Sequence, residues 1–231
     1  MNSAVLLDPA RLDRPDTVVQ HQPFPFMVAH GQLPDEMRGE LDRDFPDYSS
    51  AGFFPYDPQE CGPSINALVE NMTGAAFASA IGRKLGIDGL EQYPTLVTIC
   101  RLLNKRHGTI HTDSRSKVAT ALIYLNPQWP DTSDGCLRFL QRIDDIDSIV
   151  VPELIPLYGE FAVFKRCDNS FHGHLPYEGE RRVIQVAWLT SEEEKLRKTR
   201  RGKFSRMFKK LFGSLDTRLG AGRGRNASHP D

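Results

Sequence analysis

Cysteine is scarce in this chain. Cys61, Cys100, Cys136 and Cys167 are spread over 231 residues with no Cys-x-x-Cys pair. That spacing excludes a thiolate zinc module and a disulfide-stapled small scaffold, and it favours free thiols in a reducing compartment. Long apolar runs are also missing. The start, MNSAVLLDPARLDRPD, offers only a four-residue apolar run before Asp and Pro and no cationic leader. Neither a signal peptide nor a membrane span is expected from it, and a cytoplasmic protein is. There is little net charge: 29 Lys and Arg against 30 Asp and Glu. Hydrophobic content of 39% and charged content of 26% are ordinary for a globular domain, and the length suits one catalytic domain plus a tail.

The near-neutral total conceals an asymmetry. Residues 191–231 hold 12 Lys/Arg and 5 Asp/Glu, so the preceding 190 residues are acidic. Ser191 followed by Glu194 reads as a helix capping box. Further on, Phe204, Phe208, Leu211 and Leu215 recur at helical spacing among Lys203, Arg206, Lys209 and Lys210. Such a basic amphipathic helix either lies on an anionic membrane, as a peripheral contact at the inner membrane face, or packs its stripe on the catalytic domain. Nucleic acid is disfavoured, because aromatics are few and the rest of the chain is acidic. Residues after Leu219 read as a flexible end.

Ahead of the tail, residues 1–22 are polar and Pro-punctuated and are expected to be poorly ordered, with the domain running from 23 to 190. Leu33, Met37, Leu41 and Phe45 mark a short amphipathic helix. Ile65, Leu68, Val69, Met72, Ala76, Ile81 and Leu85 mark one longer helix ending at Gly86. Between them, residues 47–62 form a Tyr/Phe/Pro/Gly-rich loop suited to covering a site. Four later segments rich in β-branched or aromatic residues read as strands: Thr95 to Leu103, Lys117 to Leu125, Glu160 to Lys165 and Arg182 to Leu189. Helices first and strands afterwards imply an α+β fold.

Those strands frame two short motifs. His111-Thr112-Asp113 falls between the first pair, and Phe171-His172 leads through Pro176 to Arg181 and Arg182 between the second pair. A His-x-Asp alone means little, since His229-Pro230-Asp231 matches it too. Two imidazoles and a carboxylate together form the 2-His-1-carboxylate facial set that suits non-haem Fe(II) and leaves open positions. Period-two spacing puts His172 and His174 on one face of an extended segment. Along the last strand Arg181, Val183, Gln185 and Ala187 share a face that tolerates a charged ligand, opposite Arg182, Ile184, Val186 and Trp188. Tyr124 shares a face with Val118, Thr120 and Leu122.

From Leu96 to Leu189 the sequence resembles the prolyl-4-hydroxylase-like branch of the Fe(II)- and 2-oxoglutarate-dependent dioxygenases. The carriers are HTD at 111–113, ALIYLNPQW at 121–129, DGCLRFL at 134–140 and HGHLPYEGERR at 172–182. Asp134-Gly135 stands where that family commonly has Gly-Gly, and His174 where it often has Val. The resemblance implies a double-stranded β-helix, or jelly-roll, core backed by N-terminal helices. It implies His111, Asp113 and His172 as iron ligands, His172 being favoured by its distances to Pro176 and Arg181. Arg181 is implied as the anchor for the distal carboxylate of 2-oxoglutarate, with Tyr124 as its hydrogen-bonding partner. Fe(II), 2-oxoglutarate and O₂ are the implied cofactors, with ascorbate as a further candidate.

The implied activity is oxidative decarboxylation of 2-oxoglutarate to succinate and CO₂, coupled to hydroxylation of a C–H substrate. Halogenating relatives lack the carboxylate at the position of Asp113, so its presence points to hydroxylation. The substrate is not identified by sequence. Arg115, His174 and Trp129 are candidate substrate contacts, and Lys117 and Arg166 are candidate entrance charges. The alternative from another class is a non-catalytic, metal-binding β-helix sensor or scaffold, which has no need to aim Arg181 and Tyr124 inward.

Overall fold

The computed structural model describes residues 5–200. Its frame is a seven-stranded antiparallel sheet of β1 (Val18–Gln20), β2 (Phe26–Ala29), β3 (Phe53–Pro55), β4 (Thr95–Leu103), β5 (Lys117–Tyr124), β7 (Phe161–Lys165) and β9 (Gly179–Leu189), in the spatial order β1-β2-β7-β5-β9-β4-β3. A second sheet pairs β6 (Arg138–Phe139) with β8 (His172–Gly173). Helices α1 (Arg38–Asp44), α2 (Pro63–Thr73) and α3 (Ala75–Leu85) precede most of the strands. The fold is the expected α+β jelly roll with helices on one sheet.

Strand alternation sorts the side chains into two cores. Ala119, Ala121 and Ile123 of β5 and Ile184, Val186 and Trp188 of β9 face α2 and α3, where Ile65, Leu68, Met72, Phe77, Ile81 and Leu85 cover them. The intervening residues Leu122, Tyr124 and Val183 turn the other way. They pack with Phe24, Phe26, Phe139 and Phe164 in the space closed by the small sheet. This second face tolerates polar groups, and it carries the site.

Three expectations need correction. Residues 5–22 are not loose: Leu6, Leu7 and Leu12 are buried in the helix-side core, and the Asn71 side chain accepts hydrogen bonds from the N–H groups of Leu6 and Leu7 at 2.7 and 3.1 Å. β1 also joins the main sheet. The single long helix is two, because Gly74 has extended backbone that ends α2 and begins α3. The loop over residues 47–62 contributes β3 to the sheet edge and buries Tyr48 and Phe54 on the helix side, away from the polar-tolerant face. Truncating Leu12, fully buried, to Ala is expected to cost about 2–5 kcal/mol. An unchanged urea midpoint would place the N-terminal segment outside the cooperative unit.

None of the four cysteines forms a disulfide. No helix among the described residues is long and apolar enough to cross a membrane. The stripe of Phe204, Phe208, Leu211 and Leu215 lies outside the described residues.

Candidate metal centre and cosubstrate pocket

The two halves of the His–Asp–His set meet through backbone pairing. His111 and His172 form an antiparallel bridge, each N–H donating to the other's carbonyl at 3.1 Å. Adjacent bridge partners put their side chains on the same side, and the ring centroids stand 4.4 Å apart. Each imidazole is also locked from behind. Nδ1 of His111 lies 2.8 Å from the Thr109 carbonyl, and Nδ1 of His172 lies 2.9 Å from that of Ser170. A carbonyl only accepts, so both Nδ1 atoms carry the proton and both Nε2 lone pairs are free for a metal.

His172 is buried against the Phe164 ring, with centroids 4.3 Å apart. Burial and the neighbouring His111 push its pKa down to about 4, which keeps the ring neutral, as a ligand must be. His111 is exposed and marks the open side of the centre.

Asp113 supplies the carboxylate. It is 7% exposed, and both its oxygens are held: Lys117 Nζ donates to Oδ1 at 2.6 Å and the Thr120 hydroxyl to Oδ2 at 2.5 Å. Burial alone would raise its pKa. The Lys117 ammonium, the His172 ring and the two hydrogen bonds outweigh burial and hold it well below the usual carboxylate range. Ligand atoms of His111, Asp113 and His172 all lie within 4.8 Å of one another, and they are the only such group of three among the described residues. Two neutral nitrogens and one anionic oxygen fit a divalent first-row metal with positions left open.

Deeper on the same face sits Arg181, 3% exposed. Its Nε donates to the Gly135 carbonyl at 2.8 Å and its Nη2 to the Tyr124 hydroxyl at 3.0 Å, with the guanidinium 4.9 Å above the Tyr124 ring. No described carboxylate pairs with it. A buried, unpaired guanidinium is costly unless an anion joins it, so the chemistry of the pocket fits a carboxylate ligand. Arg182 points the other way, to Glu180 at 2.8 Å, to Asp42 and over the Phe45 ring.

The remaining candidates fall outside the donor set. His174 packs its ring on Gly108, where any Cβ would come within 2.0 Å of it, and its Nδ1 donates to the Leu175 carbonyl at 2.7 Å. Burial, then the Arg181 guanidinium, pushes its pKa down to about 4. Trp129 stacks on Tyr177 with centroids 4.6 Å apart and donates to the Asp134 carbonyl. Both rings press on Gly135, the residue that orients Arg181. Arg115 is exposed. Sequence reasoning missed the roles of Thr120, Phe164 and the Gly135 carbonyl. Thr120 had a signal, being a polar residue on the inward face shared with Tyr124, whereas a backbone carbonyl has none.

With this geometry in place, comparison with known proteins is informative. Residues 97–190 match the family model of the 2OG-Fe(II) oxygenase superfamily. Over this stretch, about two-fifths of the chain, the sequence is similar to 2OG-Fe(II) oxygenases. Members of the superfamily are dioxygenases that use Fe(II), 2-oxoglutarate and O₂, and His111, Asp113 and His172 could bind the iron. No curated protein matches the chain in sequence. Among solved structures, a prolyl-4-hydroxylase from Pseudomonas putida superposes with a TM-score of 0.51 at 18% identity, covering 72% of this chain and 92% of its own. A Trichoplax adhaerens prolyl hydroxylase, solved with a hypoxia inducible factor oxygen degradation domain peptide fragment, gives 0.49 at 17% identity, covering 74% and 86%. At this identity the first of these establishes a shared fold.

Proposed function

We propose that the domain couples oxidative decarboxylation of 2-oxoglutarate to hydroxylation of a C–H bond. In balance, R–H, O₂ and 2-oxoglutarate give R–OH, succinate and CO₂. The observation that carries this is Arg181, a buried guanidinium with Tyr124 and a backbone carbonyl as partners and no carboxylate, on the same inner face as the His–Asp–His group. A metal-binding sensor has no use for it.

The residues then take distinct roles. His111, Asp113 and His172 would hold Fe(II), which when bound supplies activation of O₂ and of the 2-oxo-acid end of the cosubstrate. Thr109 and Ser170 fix the imidazole orientation through their carbonyls. Thr120 and Lys117 fix Asp113. Arg181 and Tyr124 receive the distal carboxylate, and the Phe164 and Phe139 rings keep water from the inner wall. Retention of a carboxylate at Asp113 favours hydroxylation over halogenation.

Purified chain incubated with Fe(II), 2-oxoglutarate and air is expected to form succinate slowly even without substrate, and to stop when His111 is replaced. Absence of any succinate from metal-loaded protein, at any 2-oxoglutarate concentration, would contradict the proposal.

A further inference from the structure

The rim of the metal group beside Asp113 is built by a segment that the oxygenase pattern does not include. After β9, the Thr190 N–H donates to the Ser116 carbonyl at 2.9 Å, and residues 192–200 form a helix started by the Ser191 hydroxyl, which accepts from the Glu194 N–H. Two residues before its described end, Lys198 reaches back and donates to the Ser114 hydroxyl at 3.0 Å. Ser114 is the residue after Asp113, so this ammonium stands at the edge of the centre.

Lys198 is half-buried and lacks an ion pair among the described residues, since the nearby Glu194 carboxylate is taken by Arg197 at 2.7 Å. The Ser114 hydroxyl that Lys198 reaches lies 3.0 Å from that of Ser116, the residue before Lys117. Lys117 Nζ lies on Asp113, the residue before Ser114, so both ammonium groups belong to this one turn. Burial, and then the Lys117 charge, pulls the Lys198 pKa down. The carboxylate near both is Asp113, which Lys117 already holds at 2.6 Å and which a bound metal would also engage. Arg166 adds to the positive rim by donating to the Asp113 carbonyl at 3.2 Å, though Asp168 neutralises it. One ammonium without an ion pair, beside a second whose carboxylate partner a metal would share, leaves net positive charge on this turn and suits an anionic partner. The sequence reinforces the sign: the ten residues after Arg200 contain five Lys or Arg and no acid.

We propose that Lys198 and Lys117, with the Ser114 hydroxyl, form a subsite for a phosphate group of the substrate at the mouth of the metal centre. A tetrahedral dianion can accept from two ammonium groups and a hydroxyl at once, whereas a monovalent carboxylate leaves one charge unmatched. This rests on the oxygenase proposal and names the substrate class for it. The phosphate belongs either to a soluble phosphoester or to a lipid headgroup.

The full chain loaded with Mn(II) and excess 2-oxoglutarate provides a distance-sensitive test. Inorganic phosphate bound at this rim is expected to show strong paramagnetic ³¹P relaxation, which falls with the sixth power of the distance from the metal. Lys198→Ala should weaken the binding roughly tenfold or more, Lys198→Arg should largely restore it, and the remote Arg142→Ala should leave it unchanged. Acetate carrying ¹³C should show little relaxation under the same conditions. A second arm sediments the full chain with phosphatidylcholine vesicles that contain phosphatidate. Lys198-dependent vesicle binding without relaxation of free phosphate would assign the phosphate to a lipid. Phosphate relaxation independent of Lys198, acetate relaxed as well as phosphate, or neither arm positive would overturn the proposal. Mn(II) and 2-oxoglutarate affinities are read in the same titration. Loss of those would instead sink the oxygenase proposal beneath it.

Discussion

His111→Ala is expected to give a folded protein that no longer holds Fe(II) and makes no succinate. The ring is exposed and packs chiefly on His172, so its removal leaves little cavity. Loss of residues that merely orient metal ligands costs about 10–100-fold in metal affinity, and loss of a ligand should cost more than that. His172→Ala should lose metal too, with a stability penalty besides, because that ring is buried on Phe164. His174→Ala should keep the metal, since its Nδ1 is committed to the Leu175 carbonyl and its ring faces Gly108. Anaerobic Fe(II) titration of the three variants reads this directly. Iron retained by His172→Ala and lost by His174→Ala would reverse the ligand assignment.

Arg181→Met should separate cosubstrate binding from folding. The side chain is buried as a cation without an anion, and a hydrophobic residue of similar length relieves that burden while leaving the Tyr124 hydroxyl and Gly135 carbonyl to find water. The unliganded protein should therefore stay folded. Its 2-oxoglutarate requirement should rise by about ten- to a hundredfold, the equivalent of roughly 1.5–3 kcal/mol for a lost charge-assisted contact. The thermal stabilisation that wild-type protein gains from saturating 2-oxoglutarate should disappear with it. Tyr124→Phe should give a milder version, about 0.5–1.5 kcal/mol. Arg182→Ala should lower stability and leave the 2-oxoglutarate requirement alone, because it contacts Asp42, Glu180 and Phe45 on the outer face. An unchanged 2-oxoglutarate requirement in Arg181→Met would remove the pocket's proposed ligand.

The centre of the fold was legible because long strands announce themselves. β4, β5, β7 and β9 are rich in β-branched or aromatic residues, and alternation correctly put Tyr124 with Leu122 on β5 and separated Arg181 from Ile184 on β9. Val118, expected beside Tyr124, instead packs on the helix-side core, because the register shifts between Lys117 and Ala119. Where elements are short the signal vanishes. β1, β2 and β3 span three or four residues each, and β6 and β8 only two, too few for a period to register. The anchoring of Leu6 and Leu7 depends on Asn71, sixty-odd residues away, which no local pattern can reveal. The same holds at the site. The ligands carried a spacing that the family resemblance made readable, whereas the clamp of Lys117 and Thr120 on Asp113 and the approach of Lys198 to Ser114 exist only after folding.

The most direct measurement is an anaerobic visible titration of the full chain with Fe(II) and 2-oxoglutarate. A metal held by His111, Asp113 and His172, with 2-oxoglutarate chelating it and anchored on Arg181, predicts a weak metal-to-ligand charge-transfer band. That band should saturate at one iron and one cosubstrate per chain, be missing in His111→Ala, and need far more 2-oxoglutarate in Arg181→Met. Failure of the wild-type protein to develop the band, or a band that forms equally in His111→Ala, would contradict the account.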